Sequence, residues 1–255
     1  MTGIVPIGTT GESPTITRQE ARKLIEIAVE EAAGKVIVMA GTGSNCTASA
    51  VEHTQIAKEA GADCCLVVSP YYNKPTPEGL IMHYTEIAKV QLPIIVYNIK
   101  GRTGINIETD TLMELAKNEY IVGVKEASGD LQQMKEVIEG RPDDFTVLSG
   151  DDSLTLDLMK MGGDGVISVA SNIIPDKISH LVSLALNHQY EDAEKLNYEL
   201  MRLFKEIFVE TNPLPIKYAA YKMKKCGLNF RLPMCPPTQN TKHIIDQMLI
   251  DYNLI

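Results

Sequence analysis

The 255-residue sequence lacks an excess of positively charged residues. Its 24 lysines and arginines are outnumbered by 33 aspartates and glutamates, so the net charge is −9. A surface that binds nucleic acid or an anionic membrane needs clustered basic residues, and no basic run occurs. No apolar stretch approaches the length of a membrane span. We therefore expect neither nucleic acid nor a membrane as a partner.

The sequence also lacks the short motifs that bind metals or carry common nucleophiles. The five cysteines show no CxxC spacing, and the five histidines form no HxH or HxxxH pair. We therefore expect no metal site. No GxGxxG follows the first apolar run, and no nucleophile elbow is recognisable. The odd number of cysteines fits a reducing compartment, so a cytoplasmic location is expected.

What the sequence does contain is an alternation of short apolar runs and amphipathic helical segments. The predicted strands are residues 3–7, 36–40, 64–69, 94–97, 121–125, 145–149 and 165–169. The predicted helices between them lie near residues 17–33, 47–60, 76–90, 108–118, 130–139 and 153–161. This alternation predicts a parallel sheet, and a spacing of roughly 27 residues between strands is typical of a (β/α)8 TIM barrel.

The distribution of polar residues favours a barrel over a doubly wound sheet. Reactive side chains follow many of the predicted strands, as they do around the rim of a barrel. A doubly wound sheet would gather them at one or two switch points. Beyond residue 173 the pattern is helical, which predicts a barrel over residues 1–173 and the last barrel helix with a helical extension over 174–255.

The strand count is seven, although a closed barrel has eight. Because the sequence begins within a predicted strand, we expect one N-terminal strand–helix unit to be absent. The resulting open sheet edge would make the chain aggregation-prone or poorly active.

Lys125 is the most informative residue. It closes the apolar run 121–124, which is typical of a buried strand. Burial lowers the pKa of a lysine, and the free amine can form a Schiff base with a carbonyl substrate. Taken alone, Lys125 is better explained as a lysine that flanks a strand and extends into solvent, so the rest of the sequence must decide.

Other segments offer groups that could bind or move protons. In residues 8–13 (GTTGES) the glycines permit a tight turn, and the hydroxyls of Thr9 and Thr10 can form hydrogen bonds. Arg102 suits capture of a carboxylate, although a structural salt bridge explains it as well. Asp151 and Asp152 could bind a cation, but a helix N-cap is the better explanation.

A set of motifs, taken in chain order, resembles one family. They are GTTGES at 8–13, PYYN at 70–73, YN at 97–98 with GRTG at 101–104, VKEASG at 124–129, LSGDD at 148–152 and GVISV at 165–169. Together they resemble the 4-hydroxy-tetrahydrodipicolinate (dihydrodipicolinate) synthases of the pyruvate-dependent class I aldolase superfamily. Residues 212–217 and 231–234 extend the resemblance into the helical tail.

The resemblance implies an activity and a set of roles. Pyruvate would condense with L-aspartate 4-semialdehyde in lysine and diaminopimelate biosynthesis, with no cofactor beyond the Schiff base on Lys125. The enzyme would be a homotetramer built as a dimer of dimers. The implied proton relay is Thr9, Tyr97 and Tyr72, with Tyr72 reaching a neighbouring subunit. The implied substrate-binding residues are Thr10, Arg102, Gly150 and Ile167, and the implied allosteric residues are Ser13, Asn45 and Tyr71.

Some positions depart from the family pattern. Lys100 stands where the family usually has proline, and Arg18 and Ser49 replace the histidine and glutamate of lysine-inhibited members. Feedback inhibition by lysine is therefore expected to be weak. Two alternatives stay open, namely an aldolase or lyase acting on a sugar acid and a catalytically impaired truncated homologue. The arginine in GRTG favours the synthase, because sialic-acid lyases lack it.

Overall fold

The computed structural model describes residues 1–255 and contains one sheet of seven strands. They are β1 (Gly3–Ile4), β2 (Ile37–Gly41), β3 (Cys64–Val68), β4 (Ile94–Asn98), β5 (Ile121–Glu126), β6 (Thr146–Ser149) and β7 (Gly165–Val166). Every neighbouring pair is parallel, and the spatial order is the chain order from β1 to β7. The predicted barrel-type α/β fold with seven strands is confirmed.

Helices connect the strands and continue beyond the last one. They are α1 (Arg18–Ala32), α2 (Thr47–Glu59), α3 (Pro77–Ala88), α4 (Lys100–Thr103), α5 (Thr109–Leu115), α6 (Leu131–Gly140), α7 (Thr155–Lys160), α8 (Pro175–Leu186), α9 (Tyr190–Glu206), α10 (Leu214–Lys222) and α11 (Gln239–Asp251). Thr17 and Glu20 form a capping box at the start of α1. None of these helices combines the length and apolar character needed to cross a membrane.

Two strands are shorter than the sequence indicates. The predicted strand 3–7 ends at Ile4, because Pro6 has no N–H to donate and Ile7 turns to a positive φ of 60°. The predicted strand 165–169 ends at Val166, because the backbone N–H of Val169 donates to a side chain instead of a neighbouring strand.

The core lies mainly between the sheet and the surrounding helices. This large cluster continues into the C-terminal helices through residues such as Leu200 and Ile245. A smaller cluster inside the sheet consists of Leu66, Ile95 and Tyr97. The C-terminal helices therefore pack against the barrel helices, while the predicted boundary at residue 173 stays a prediction.

Candidate active site

Lys125 and Tyr97 lie side by side at the ends of adjacent strands. They are direct partners in the β4–β5 register, so their side chains point to the same face of the sheet. The Lys125 Nζ atom is 4.1 Å from the centroid of the Tyr97 ring. Only 8% of Lys125 and 6% of Tyr97 is exposed. The structure thus joins two predicted site residues inside the barrel rim.

The surroundings of Lys125 favour its uncharged amine. Burial lowers the pKa of Lys125 to about 8; the negative charge of Asp152 opposes this change, and the positive charge of Arg102 adds to it. An ordinary lysine has a pKa near 10.5. The expectation of a buried lysine with a lowered pKa is confirmed.

Tyr97 remains a neutral phenol near neutral pH. Burial raises the pKa of Tyr97 to about 12, while the charge of Arg102 and the hydroxyl of Thr9 act in the opposite direction. A neutral phenol can donate one hydrogen bond and accept others. Tyr97 therefore places a neutral phenol beside the amine of Lys125.

Gly150 lies against Lys125, and Ile167 packs inside the barrel. A Cβ atom at Gly150 would lie 2.9 Å from Lys125 Cε and 2.7 Å from Ala127 Cβ. Both distances are too short, so only glycine leaves space for this lysine conformation. Ile167 packs against the inner cluster that contains Tyr97.

The GTTGES loop is fastened to the C-terminal region through Glu12. This residue is 8% exposed and has a positive φ of 58°, which is uncommon for a residue other than glycine. Its carboxylate binds the Lys217 ammonium and accepts a hydrogen bond of 3.0 Å from the backbone N–H of Arg231. The Arg231 side chain in turn pairs with Glu20 at 2.5 Å. These contacts hold the loop in its strained conformation.

Thr10 and Arg102 meet at one residue from the C-terminal region. Asn212 Nδ2 donates to Thr10 Oγ1 at 3.0 Å, and Arg102 Nη2 donates to the backbone oxygen of Asn212 at 3.0 Å. The sequence pattern placed Asn212 within the family resemblance without a role. No local signal could supply one, because its partners lie far away in the chain.

A buried polar cluster supports the strand ends from the outer face of the sheet. The Glu126 carboxylate accepts hydrogen bonds from Asn98 Nδ2 at 3.1 Å, Ser128 N at 2.6 Å and Gln133 Nε2 at 3.4 Å. Burial raises the pKa of Glu126, while the hydrogen bonds from Ser128, Asn98 and Gln133 oppose the change. Asn98 and Glu126 directly follow Tyr97 and Lys125, so this cluster fixes the two strand ends relative to each other.

The two adjacent aspartates have different surroundings. Asp151 is the N-cap of the 3-10 helix Asp152–Leu154, as the cap interpretation expects. Asp152 instead points inward: its Oδ2 accepts hydrogen bonds from Val169 N and Ala170 N, both at 3.0 Å. Its Oδ1 is buried without a hydrogen-bond partner, and burial raises the pKa of this carboxyl group. The sequence interpretation missed Asp152 as a charge that acts on Lys125.

Tyr72 does not join the other site residues within one chain. It is 90% exposed, and its φ of 75° is positive. No group of three or more histidine, cysteine, aspartate or glutamate side chains is arranged to hold a metal ion.

Two of the three residues expected in an allosteric pocket line a separate cavity. Ser13 and Tyr71 border a space of about 200 Å³, together with Arg18 and His53. Asn45 is not part of the lining; its backbone oxygen accepts a hydrogen bond from the Asn73 side chain at 2.8 Å. The lining includes no aspartate or glutamate.

Comparisons with known proteins all find similarity to the same family. The model of the dihydrodipicolinate synthetase family matches residues 1–251. The 4-hydroxy-tetrahydrodipicolinate synthase of Methanospirillum hungatei is 47% identical over 252 residues, which are 98% of this chain and 87% of that protein. The crystal structure of dihydrodipicolinate synthase from Aquifex aeolicus has a TM-score of 0.98 at 45% sequence identity. The match covers 100% of this chain and 87% of that chain.

A further similar structure is a complex with a ligand. It is the chloride-inhibited dihydrodipicolinate synthase from Acinetobacter baumannii complexed with pyruvate. Its TM-score is 0.98 at 39% identity, covering 100% of this chain and 88% of that one.

Proposed function

The chain belongs to the dihydrodipicolinate synthetase family, and from this premise we propose that it condenses pyruvate with L-aspartate 4-semialdehyde through Lys125. It is an enzyme of the lyase class. The product is 4-hydroxy-tetrahydrodipicolinate, an intermediate of lysine and diaminopimelate biosynthesis. The observation that carries the proposal is the buried Lys125 amine, with a pKa of about 8, against the ring of Tyr97.

The first half of the reaction activates pyruvate. The Lys125 amine attacks the ketone carbon, and the carbonyl oxygen leaves as water to give an iminium ion. Loss of a methyl proton then gives an enamine, whose carbon attacks the aldehyde of the second substrate. A buried amine that is already partly free at neutral pH supports the first step.

The second half closes the ring and frees the enzyme. The amino group of the aspartate semialdehyde attacks the iminium carbon and displaces the Lys125 amine. The product therefore contains all atoms of both substrates except one water. Protons move at nearly every step, and we assign this work to Thr9, Tyr97 and Tyr72. The influence of the Thr9 hydroxyl on the pKa of Tyr97 supports the first link of this relay.

We assign the two substrate carboxylates to different groups. Thr10 would bind the pyruvate carboxylate, and Arg102 would bind the carboxylate of the semialdehyde. Gly150 and Ile167 would border the pyruvate, since Gly150 leaves space for Lys125 and Ile167 packs against the cluster that contains Tyr97.

We also propose that the enzyme is a cytoplasmic homotetramer that needs no cofactor beyond the Schiff base. The exposure of Tyr72, 90%, supports an assembly in which a second subunit receives this side chain. Sedimentation velocity on the purified chain would test the assembly, and a monomer with full turnover would contradict it.

Borohydride reduction in the presence of pyruvate tests the central claim. Peptide mass mapping should find the reduced pyruvate adduct at Lys125, and Lys125→Ala should abolish it. Lys100→Ala is the matched control, because Lys100 lies in α4 near the same rim and should not be needed. An adduct at Lys100 would refute the assignment. Turnover with a sugar acid in place of the semialdehyde would favour another aldolase, whereas the named relatives support the synthase.

A further inference from the structure

Asn212 connects two binding groups that belong to different parts of the barrel rim. It lies between α9 and α10, and only 4% of it is exposed. Its side chain contacts the hydroxyl of Thr10, and its backbone oxygen receives the guanidinium of Arg102. Buried polar side chains in proteins have hydrogen-bond partners, and Thr10 is the partner of this buried amide.

The contact with Thr10 has a preferred direction. Asn212 Nδ2 lies 3.0 Å from Thr10 Oγ1, whereas Asn212 Oδ1 lies 3.4 Å from the same oxygen. The shorter contact has the amide as donor and the hydroxyl as acceptor. A threonine hydroxyl has only one proton. If Thr10 accepts from Asn212, its proton remains available for another acceptor.

This direction matters because the expected ligand is an anion. A carboxylate only accepts hydrogen bonds, so Thr10 can bind it only as a donor. A hydroxyl that already accepts a hydrogen bond is also a stronger donor, since hydrogen bonds in a chain polarise one another. The Asn212 amide therefore prepares Thr10 to bind a carboxylate before the ligand arrives.

The contact with Arg102 is independent of the Asn212 side chain. It uses the backbone oxygen, which any residue at position 212 would provide. Substitutions of the side chain consequently separate the effect on Thr10 from the effect on Arg102.

We propose that Asn212 is a positioning residue that directs the hydroxyl proton of Thr10 toward the carboxylate of pyruvate. This inference rests on the proposed function, in which Thr10 binds that carboxylate. Asn212 itself does not touch the reacting atoms.

Asn212→Asp reverses the hydrogen bond with almost no change of shape. The new carboxylate would accept the hydrogen bond that the Thr10 hydroxyl otherwise donates to pyruvate. The KM for pyruvate should rise about tenfold or more, with a kcat at saturating pyruvate within about threefold of the parent. Asn212→Ala, which only removes the donor, should raise the same KM less, by about fivefold.

A double-mutant cycle with Thr10→Val separates positioning from a general structural role. Without the Thr10 hydroxyl, either change at position 212 should alter the KM for pyruvate by less than about twofold. Equal effects in both backgrounds would overturn the inference. If Asn212→Asp does not fold, as judged by its melting curve, the Asn212→Ala arm completes the same cycle.

Thr211→Asp is the charge control. It introduces the same negative charge one residue away, on an exposed side chain that does not contact Thr10. The KM for pyruvate should stay within about twofold of the parent value. A rise as large as that of Asn212→Asp would show that charge, and not the direction of one proton, is responsible, and would overturn the inference.

Failure of the proposed function would look different. In that case the parent enzyme would give no pyruvate adduct after borohydride reduction. A parent that forms the adduct at Lys125, combined with an additive cycle, would refute only the role of Asn212.

Discussion

Replacing Asp152 by asparagine should lower the pKa of Lys125 below its value of about 8. Burial of the amine lowers this pKa, the Asp152 carboxylate raises it, and Arg102 lowers it. Tyr97, which also faces the amine, stays a neutral phenol in this range because burial raises its pKa to about 12. Removing the charge of Asp152 leaves only influences that favour the free amine.

The size of the effect follows from the titration curve. A lysine with a pKa of about 8 has about one amine in eleven free at pH 7, against about one in three thousand for an ordinary lysine. An opposite charge nearby shifts a pKa by about 1 to 3, and no hydrogen bond joins Asp152 to Lys125, so the lower end applies. In Asp152→Asn, about half of the amine should then be free at pH 7, an increase of about fivefold.

Competitive labelling measures this pKa directly. Trace acetic anhydride would be added to the enzyme from about pH 6 to about pH 11, and the acetylated Lys125 peptide would be quantified by mass spectrometry. Asp151→Asn is the matched control: asparagine keeps the cap at Ser153, and Asp151 is not among the charges that act on Lys125.

The outcome can contradict the reasoning in two ways. A parent pKa close to 10.5 would show that burial does not control the amine. An unchanged or higher pKa in Asp152→Asn would show that Asp152 is protonated, or too distant to act. Folding of the variant can be checked by its melting curve, since the asparagine oxygen can still accept from Val169 N and Ala170 N.

The other predictions concern substrate binding, packing, regulation and assembly. Arg102→Ala should raise the KM for L-aspartate 4-semialdehyde about 10- to 150-fold and that for pyruvate much less; equal changes would exclude a role at the semialdehyde carboxylate. Gly150→Ala should slow pyruvate adduct formation about a hundredfold by displacing Lys125, whereas Gly101→Ala, with open space around its Cβ, should not. Millimolar lysine should inhibit turnover little, because the cavity beside Arg18 offers no carboxylate to an ammonium group; strong cooperative inhibition in a steady-state assay would disprove this. Tyr72→Phe should lower kcat about a hundredfold while the pyruvate adduct still forms, and an unchanged kcat would remove Tyr72 from the relay.

The sequence is sufficient to predict the sheet and the proximity of Tyr97 to Lys125. Each buried strand is a short apolar run, and strands that are consecutive in the chain are neighbours in a barrel. Tyr97 and Lys125 close two consecutive runs, so their proximity follows from the fold alone. Burial of Lys125 within that fold explains its pKa.

The remaining features depend on contacts that a local pattern does not contain. Asn212 forms a hydrogen bond with Thr10, which is 202 residues away in the sequence. The periodicity of apolar residues cannot predict such a contact. The short helix α4 (Lys100–Thr103) was not predicted, because its four residues are fewer than a recognisable helical period requires. Asp152 looked like a helix cap because it precedes a helix, and only the fold shows that its carboxylate turns inward toward Val169 and Ala170.

The anchoring of Glu12 has a consequence for how the enzyme matures on the ribosome. Glu12 is synthesised 219 residues before its backbone partner Arg231. At about 5 to 20 residues per second, the ribosome needs roughly 10 to 45 s to reach it. Until then the loop that carries Thr9 and Thr10 lacks the partners that hold its strained turn. The nascent chain can therefore form most of its strands before the contacts that hold this loop exist.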